Sequence, residues 1–225
     1  MSAMVFVPNS RTLSSLTDDE IDLISQDEYE KFIIDLIFFN TDRHLSNVLA
    51  YLEVDENGKN HYKLALIDHG ECCPDPDPFG EKDFVGLSDA KYEYVQFPAL
   101  NRPLSESLKA TIRGLSIDRF IEELKSDQKL HEVKFGDLCS IPDSCYDLIR
   151  FNLLLIKKSV ELDCSFQEIA LTHVTKFNPM TVELDGGEIT EIFKACSSEG
   201  HMNWEDAEHN IESVLNFRKA SRAKA

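Results

Sequence analysis

The hydrophobic period of this chain changes across one short polar run, and that change constrains its fold more than any other feature. Upstream, from Tyr29, the apolar residues Phe32, Ile33, Leu36 and Ile37 recur at three- and four-residue steps, the spacing of one buried helix face. Downstream, residues 48–52 and 62–67 have the aliphatic and aromatic content of strands and flank a turn-rich stretch at 55–60. A buried helix, a polar loop and a hairpin therefore follow one another. The run Asn40-Thr41-Asp42-Arg43-His44-Leu45-Ser46-Asn47 must lie where helix and hairpin meet, and Leu66-Ile67-Asp68-His69-Gly70 returns the chain from the hairpin's far end.

Beyond the hairpin, the prolines at 74, 76 and 78 remove amide donors and fix the backbone, which predicts an exposed loop over 73–78. From about residue 104 the apolar stripes are helical: Leu108, Ile112 and Leu115; Ile121 and Leu124; Ile149, Leu153, Ile156 and Val160; then Ile189, Ile192, Phe193 and Cys196. Thr17 with Glu20, Ser25 with Glu28 and Ser165 with Glu168 have the spacing of capping boxes. The basic residues at 218–224 predict a fraying end. The fold class expected is mainly α with a small two-stranded β element (α+β), in a single domain over 1–225. Within it, 1–25 form the lead-in, 26–91 carry the two polar loops, 92–196 form a helical subdomain, and 197–225 hold a C-terminal helix and basic tail.

Charge and apolar content narrow the function classes. With 41 acidic against 23 basic residues the formal charge is -18, which repels nucleic-acid phosphates and predicts no nucleic-acid partner. The longest oily run, 32–39, is broken by Asp35, and the N-terminus lacks the basic flank of a signal peptide, so a soluble, cytoplasmic chain is expected. The six cysteines show no C-x-x-C pairing, which favours reduced thiols over disulfides or a zinc site.

The two polar loops have a chemical logic together. Phosphoryl transfer from ATP needs a group that orients the acceptor hydroxyl and accepts its proton, and oxygen ligands for Mg²⁺ on the phosphates. Asp42 and Asn47 on one tight loop, with Asp68 brought back by the hairpin, supply those groups. Gly70 is expected to permit the backbone turn after the metal ligand. Two other readings use the same residues: a buried ion-pair network of Arg43 with the two aspartates, and a metal site built on His44 and His69. The first leaves Asn47 and Gly70 unexplained, and the second lacks further ligands at metal spacing.

Residues 38–49 resemble the catalytic loop of phosphatidylinositol 3-/4-kinases, and 66–70 resemble their metal-binding loop, with the type II and plant gamma-type 4-kinases as the closest subgroup. Residues 94–105 resemble a tryptophan- and proline-containing segment of that subgroup, with Tyr94 and Phe97 at aromatic positions, and the likeness extends more loosely to about residue 196. The resemblance implies the large C-terminal lobe of a protein-kinase-like fold. It makes Asp42 the catalytic aspartate, Asn47 and Asp68 the ligands of Mg²⁺ or Mn²⁺, and Arg43 the residue that fixes the loop by pairing with a carboxylate. His44 matches a histidine that assists the hydroxyl, and whether it or Asp42 takes the proton stays open.

The implied co-substrate is ATP and the implied acceptor is phosphatidylinositol or a protein hydroxyl, with peripheral membrane contact. The family's small lobe, with its phosphate-covering loop and lysine, is expected to be missing before Asp42, where Lys31 is the sole lysine and no glycine occurs. The chain alone is then expected to have little activity, or to act as a non-catalytic interaction lobe. Its surface near 5–7 is expected to associate with a partner or a second copy.

Overall fold

The buried face that begins at Tyr29 forms, but as short pieces joined end to end rather than as one helix. The computed structural model describes residues 7–74, 91–135, 141–173, 176–177, 184–185, 188–198 and 201–222. Following α1 (Asp18–Ile21), α2 (Gln26–Tyr29) passes into a 3-10 turn over Glu30–Phe32 and then into α3 (Ile33–Ile37). Phe32 and Leu36 are wholly buried, as the spacing requires. The 3-10 turn falls where Glu30 points inward, its carboxylate accepting from both the amide and the hydroxyl of Ser105 at 2.5 Å.

Two of the three capping boxes form. Glu20 accepts from the Thr17 amide at 2.9 Å, and Ser165 and Glu168 satisfy each other's amides at 2.6 and 3.2 Å. Ser25 and Glu28 do not pair. Glu28 instead turns to the hairpin, where it accepts from the Leu64 amide at 2.7 Å and meets Lys31 at 2.5 Å and Lys63 at 3.1 Å. Burial alone would raise this carboxyl, but the amide and the two lysines outweigh it and hold Glu28 below the usual glutamate range.

The β element has three strands, not two. β1 (Arg11–Thr12) pairs antiparallel with β3 (Val48–Val54), which pairs antiparallel with β4 (Asn60–Leu66) from Val48↔Leu66 to Val54↔Asn60. A two-residue strand leaves no period to read, so β1 has no sequence signature. The hairpin turn matches expectation: the Asp55 carboxylate accepts from the amides of Asn57 and Lys59, and Gly58 takes a positive φ of 78°. β2 (Asp42–Arg43) pairs in parallel with β5 (Lys91–Tyr92), away from that sheet.

The helices gather around one central member. α4 (Glu106–Gly114), α5 (Ile117–Phe135), α6 (Asp143–Glu161), α7 (Phe166–His173), α8 (Glu188–Cys196) and α9 (Trp204–Arg222) follow, with short ladders β6 (Lys176–Phe177) with β7 (Leu184–Asp185) and β8 (Ser197–Ser198) with β9 (His201–Met202). α6 buries residues on every side, from Cys145 and Tyr146 to Ser159 and Val160, because α3, α4, α5, α7 and α9 all pack on it. The basic end does not fray where it is described. α9 runs to Arg222, pinned by an ion pair of Arg218 with Glu188 and by Lys219 donating to the Leu162 carbonyl, both at 2.5 Å.

The result is mainly helical with a small sheet, the expected class. The cysteines are free thiols at all five described positions, with Cys139 outside them. The proline loop is described only through Pro74, and Val5 and Phe6 also lie outside the described residues. No helix among the described residues is long and apolar enough to cross a membrane.

Candidate active site

The site is organised by a buried ion pair that spans the helix and the loop. Asp35, the residue that interrupts the oily run, is wholly buried on α3 and accepts from Arg43 Nε at 2.9 and 3.1 Å and from Nη2 at 3.0 Å. Arg43 is also wholly buried, and its Nη1 donates to the Asn47 carbonyl at 2.6 Å and to the Ile67 carbonyl at 2.5 Å. One guanidinium therefore ties α3 to both polar loops, and its rigid fork of donors suits that task better than a lysine would. Burial pushes the Asp35 carboxyl above the ordinary aspartate range, opposed by Arg43 and by Asn40, which donates to it at 3.1 Å. Arg43 finds its carboxylate in Asp35 rather than in Asp42 or Asp68, so the network of Arg43 with those two aspartates is not what forms.

The backbone brings the loops together. The Ile67 amide donates to the Asn47 carbonyl at 3.1 Å, which sets Asp68 next to the turn over Leu45–Asn47. Asn40 Oδ1 accepts from the Asp42 amide at 3.1 Å, and Tyr92 donates its hydroxyl to the Asp35 carbonyl at 3.2 Å. Left-handed backbone marks the corners: Phe39 has φ 47°, Asp68 has φ 55° and Cys73 has φ 53°. The turn expected at Gly70 is thus made by Asp68 itself. Gly70 has no positive φ, and a Cβ there would meet Asp68 Oδ1 at 3.4 Å, an ordinary contact. Aspartate visits this region more readily than most residues because its short carboxylate can bond locally.

Asp42 and His44 are partly exposed at the edge of that frame, while Asn47 is buried. The side chains of Asp42 and His44 are 47% and 35% exposed, with Oδ2 and Nε2 3.8 Å apart, too far for a hydrogen bond but close enough for one proton to be shared through an acceptor hydroxyl. Asn47 Nδ2 donates to the Asp42 carbonyl at 3.2 Å, which aims its Oδ1 away from that carbonyl. Asp68 is exposed. An exposed carboxylate and an amide oxygen fit a hard cation that takes its remaining ligands from water and phosphate. They do not fit zinc. Arginine can only donate, so His69 Nδ1, 3.2 Å from Arg43 Nη2, must accept, leaving Nε2 to donate to the Leu66 carbonyl at 3.3 Å. Among the described residues no cluster of three or more His, Cys, Asp or Glu could hold a metal ion.

Several residues near the site have structural work instead. Tyr94 is wholly buried and stacks on Phe32 at 4.0 Å, and Phe97 meets Tyr29 at 5.3 Å, so the aromatic segment lines the core rather than a substrate face. Lys31 is taken up by Glu28 and by the Leu64 carbonyl at 3.0 Å. Lys157 donates to the Leu115 carbonyl at 2.7 Å and Lys158 pairs with Glu161 and Glu208, so neither is a spare cation for an anionic surface. Cys72 and Cys73 follow the Asp68 loop, with burial pushing their thiols up to about 11 and about 12.

Asp35 is the residue that the sequence reading missed, although the signal was present as an acid on the buried face of an amphipathic helix. Asn152 on α6 is another: its Nδ2 donates to the Ile37 carbonyl at 3.1 Å and holds the end of α3 from which the loop departs. His173 lies behind both, wholly buried with its ring 5.5 Å from Phe39 and 6.1 Å from Tyr92.

No family model matches this chain. Among curated proteins it is similar to phosphatidylinositol 4-kinase gamma 4 of Oryza sativa subsp. japonica, 30% identical over 129 residues, which is 57% of this chain and 19% of that protein. It is also similar to phosphatidylinositol 4-kinase gamma 4 of Arabidopsis thaliana, 29% identical over 137 residues, covering 61% of this chain and 20% of that protein. The chain thus spans about a fifth of the length of the curated relatives it matches.

Proposed function

We propose that this chain carries the acceptor-orienting and metal-binding loops of a phosphotransferase that moves the γ-phosphoryl group of ATP to the inositol ring of phosphatidylinositol. The observation that carries this reading is the Asp35–Arg43 pair, which fixes the loop of Asp42, His44 and Asn47 beside the loop of Asp68. A buried guanidinium bonded to one carbonyl of each loop holds them in a single geometry, and phosphoryl transfer depends mostly on positioning and charge. The named similarity of the plant relatives supports the acceptor class.

In this reading Asp42 orients the acceptor hydroxyl and receives its proton, with His44 close enough to relay it. Asn47 and Asp68 hold the divalent cation. A Mg²⁺ held by them would supply positive charge to the phosphate oxygens. The Arg43 bond to the Ile67 carbonyl fixes the backbone just before the left-handed Asp68. Lys31 is committed to Glu28 and to the Leu64 carbonyl, so we propose that it is not the lysine that binds the nucleotide phosphates.

The test is a Mn²⁺ titration with ATP, followed by paramagnetic broadening of assigned amides. The reading expects residues 42–47 and 67–70 to broaden together, with Asp68→Asn weakening the effect at Asn47 about tenfold or more, as loss of a charged ligand implies. Broadening confined to the histidines, or absent from both loops, refutes it.

A further inference from the structure

The catalytic loop is held on its inner side by Arg43, and a second hold comes from a segment that the proposed chemistry does not use. β5 pairs in parallel with β2, Lys91 against Asp42 and Tyr92 against Arg43, and runs directly into a 3-10 turn at Glu93–Gln96. Tyr94 and Val95 of that turn are wholly buried, so its position is fixed by the core. From this anchored base, Glu93 Oε2 accepts from the Leu45 amide at 2.8 Å. Leu45 opens the turn that carries Asn47, and the residue before it, His44, has extended backbone and gives that turn no side-chain cap. The amide at the start of a turn is an orphan donor, and here a carboxylate from another part of the chain satisfies it.

We propose that Glu93 is a positioning residue for the candidate active site. Its carboxylate holds the Leu45 amide and so sets the turn that presents His44 and Asn47. Asn47 closes the same turn by donating its amide to the His44 carbonyl at 3.0 Å, so Leu45, His44 and Asn47 move as a unit. With Arg43 bonded to the Asn47 carbonyl from inside and Glu93 bonded to the Leu45 amide from outside, the turn is clamped on two sides. The consequence is that any shift of β5 is transmitted to the metal-holding amide. The role of Asn47 in this proposal rests on the reading given above; the hold of Glu93 on Leu45 does not.

Two variants separate positioning from general stability. Glu93→Gln keeps an oxygen acceptor of the same length, and Glu93→Ala removes it. Hydrogen exchange of the Leu45 amide is expected to quicken about five- to tenfold in Glu93→Ala, the loss of one hydrogen bond to a charged group at an exposed position, and to stay within about twofold in Glu93→Gln. The Mn²⁺ concentration that half-broadens Asn47 in the presence of ATP is expected to rise by a similar factor in Glu93→Ala and to be restored in Glu93→Gln. Unchanged exchange at Leu45 in Glu93→Ala overturns the hold itself. Faster exchange with unchanged Mn²⁺ affinity makes Glu93 a cap only and overturns the positioning role. If the unsubstituted chain shows no broadening at all, the phosphotransferase reading and the positioning role fail together, while exchange at Leu45 still decides the hold.

Discussion

Removing either partner of the Asp35–Arg43 pair should destabilise the chain far more than an average substitution. Both side chains are wholly buried, so Asp35→Ala strands a guanidinium with no counter-charge, and Arg43→Met strands a carboxyl together with the carbonyls of Asn47 and Ile67. Breaking a buried pair from one side costs about 3–5 kcal/mol, a large share of the roughly 5–15 kcal/mol by which a domain is stable. The double variant Asp35→Ala/Arg43→Met leaves neither charge behind, so its cost should fall short of the sum by about 2 kcal/mol or more. Urea unfolding at neutral pH, read by circular dichroism, gives all three values. Asp35→Asn, which keeps an acceptor, extends the series if the alanine variant does not fold. A cost below about 1 kcal/mol for both single variants, or strict additivity in the double, refutes the claim that this pair organises the loops.

His173 is buried neutral, with burial pushing its imidazole down to about 4 from 6.5, so the unfolded chain binds a proton that the folded chain does not. The stability from this group is complete above about pH 6.5 and is lost as pH falls toward 4. Unfolding free energies from urea titrations at pH 7.5 and pH 5 should differ by about 2 kcal/mol, and a His173→Gln variant should remove most of that slope. Ser165→Ala removes one half of a formed capping box and should cost about 1 kcal/mol in the same assay. Asp68→Asn should change stability by less than about 0.5 kcal/mol, because the position is exposed and asparagine tolerates the left-handed backbone. A large loss there would mean that the carboxylate is structural.

What the sequence made legible followed from periodicity and local chemistry. The face of Phe32 and Leu36, the hairpin with its Asp55 turn, and the helical stripes about Ile112 and Ile156 all declare themselves through spacing alone. What it hid was decided by tertiary partners. Ser25 and Glu28 have the same spacing as Ser165 and Glu168, yet Glu28 found an amide and two lysines on the hairpin and left its cap. β1 joined the sheet with two residues, too few to show alternation. At the site, Asp42, Asn47 and Asp68 stood out by loop spacing, but Asp35, the partner of the arginine that ties the two loops, read as a break in an apolar run because its value depends on where Arg43 folds. Gly70 showed the opposite error, since glycine invites a turn that Asp68 makes instead.

The most direct measurement is ATP-dependent labelling of phosphatidylinositol vesicles by this chain fused behind the small lobe of a plant gamma-type kinase. Incorporation of γ-phosphate well above that of the unfused chain is expected, with Asp42→Asn and Asp68→Asn each abolishing the gain, since one removes the proposed proton acceptor and the other the proposed metal ligand. Undiminished labelling by both variants, or robust labelling confined to the small lobe alone, would contradict the account.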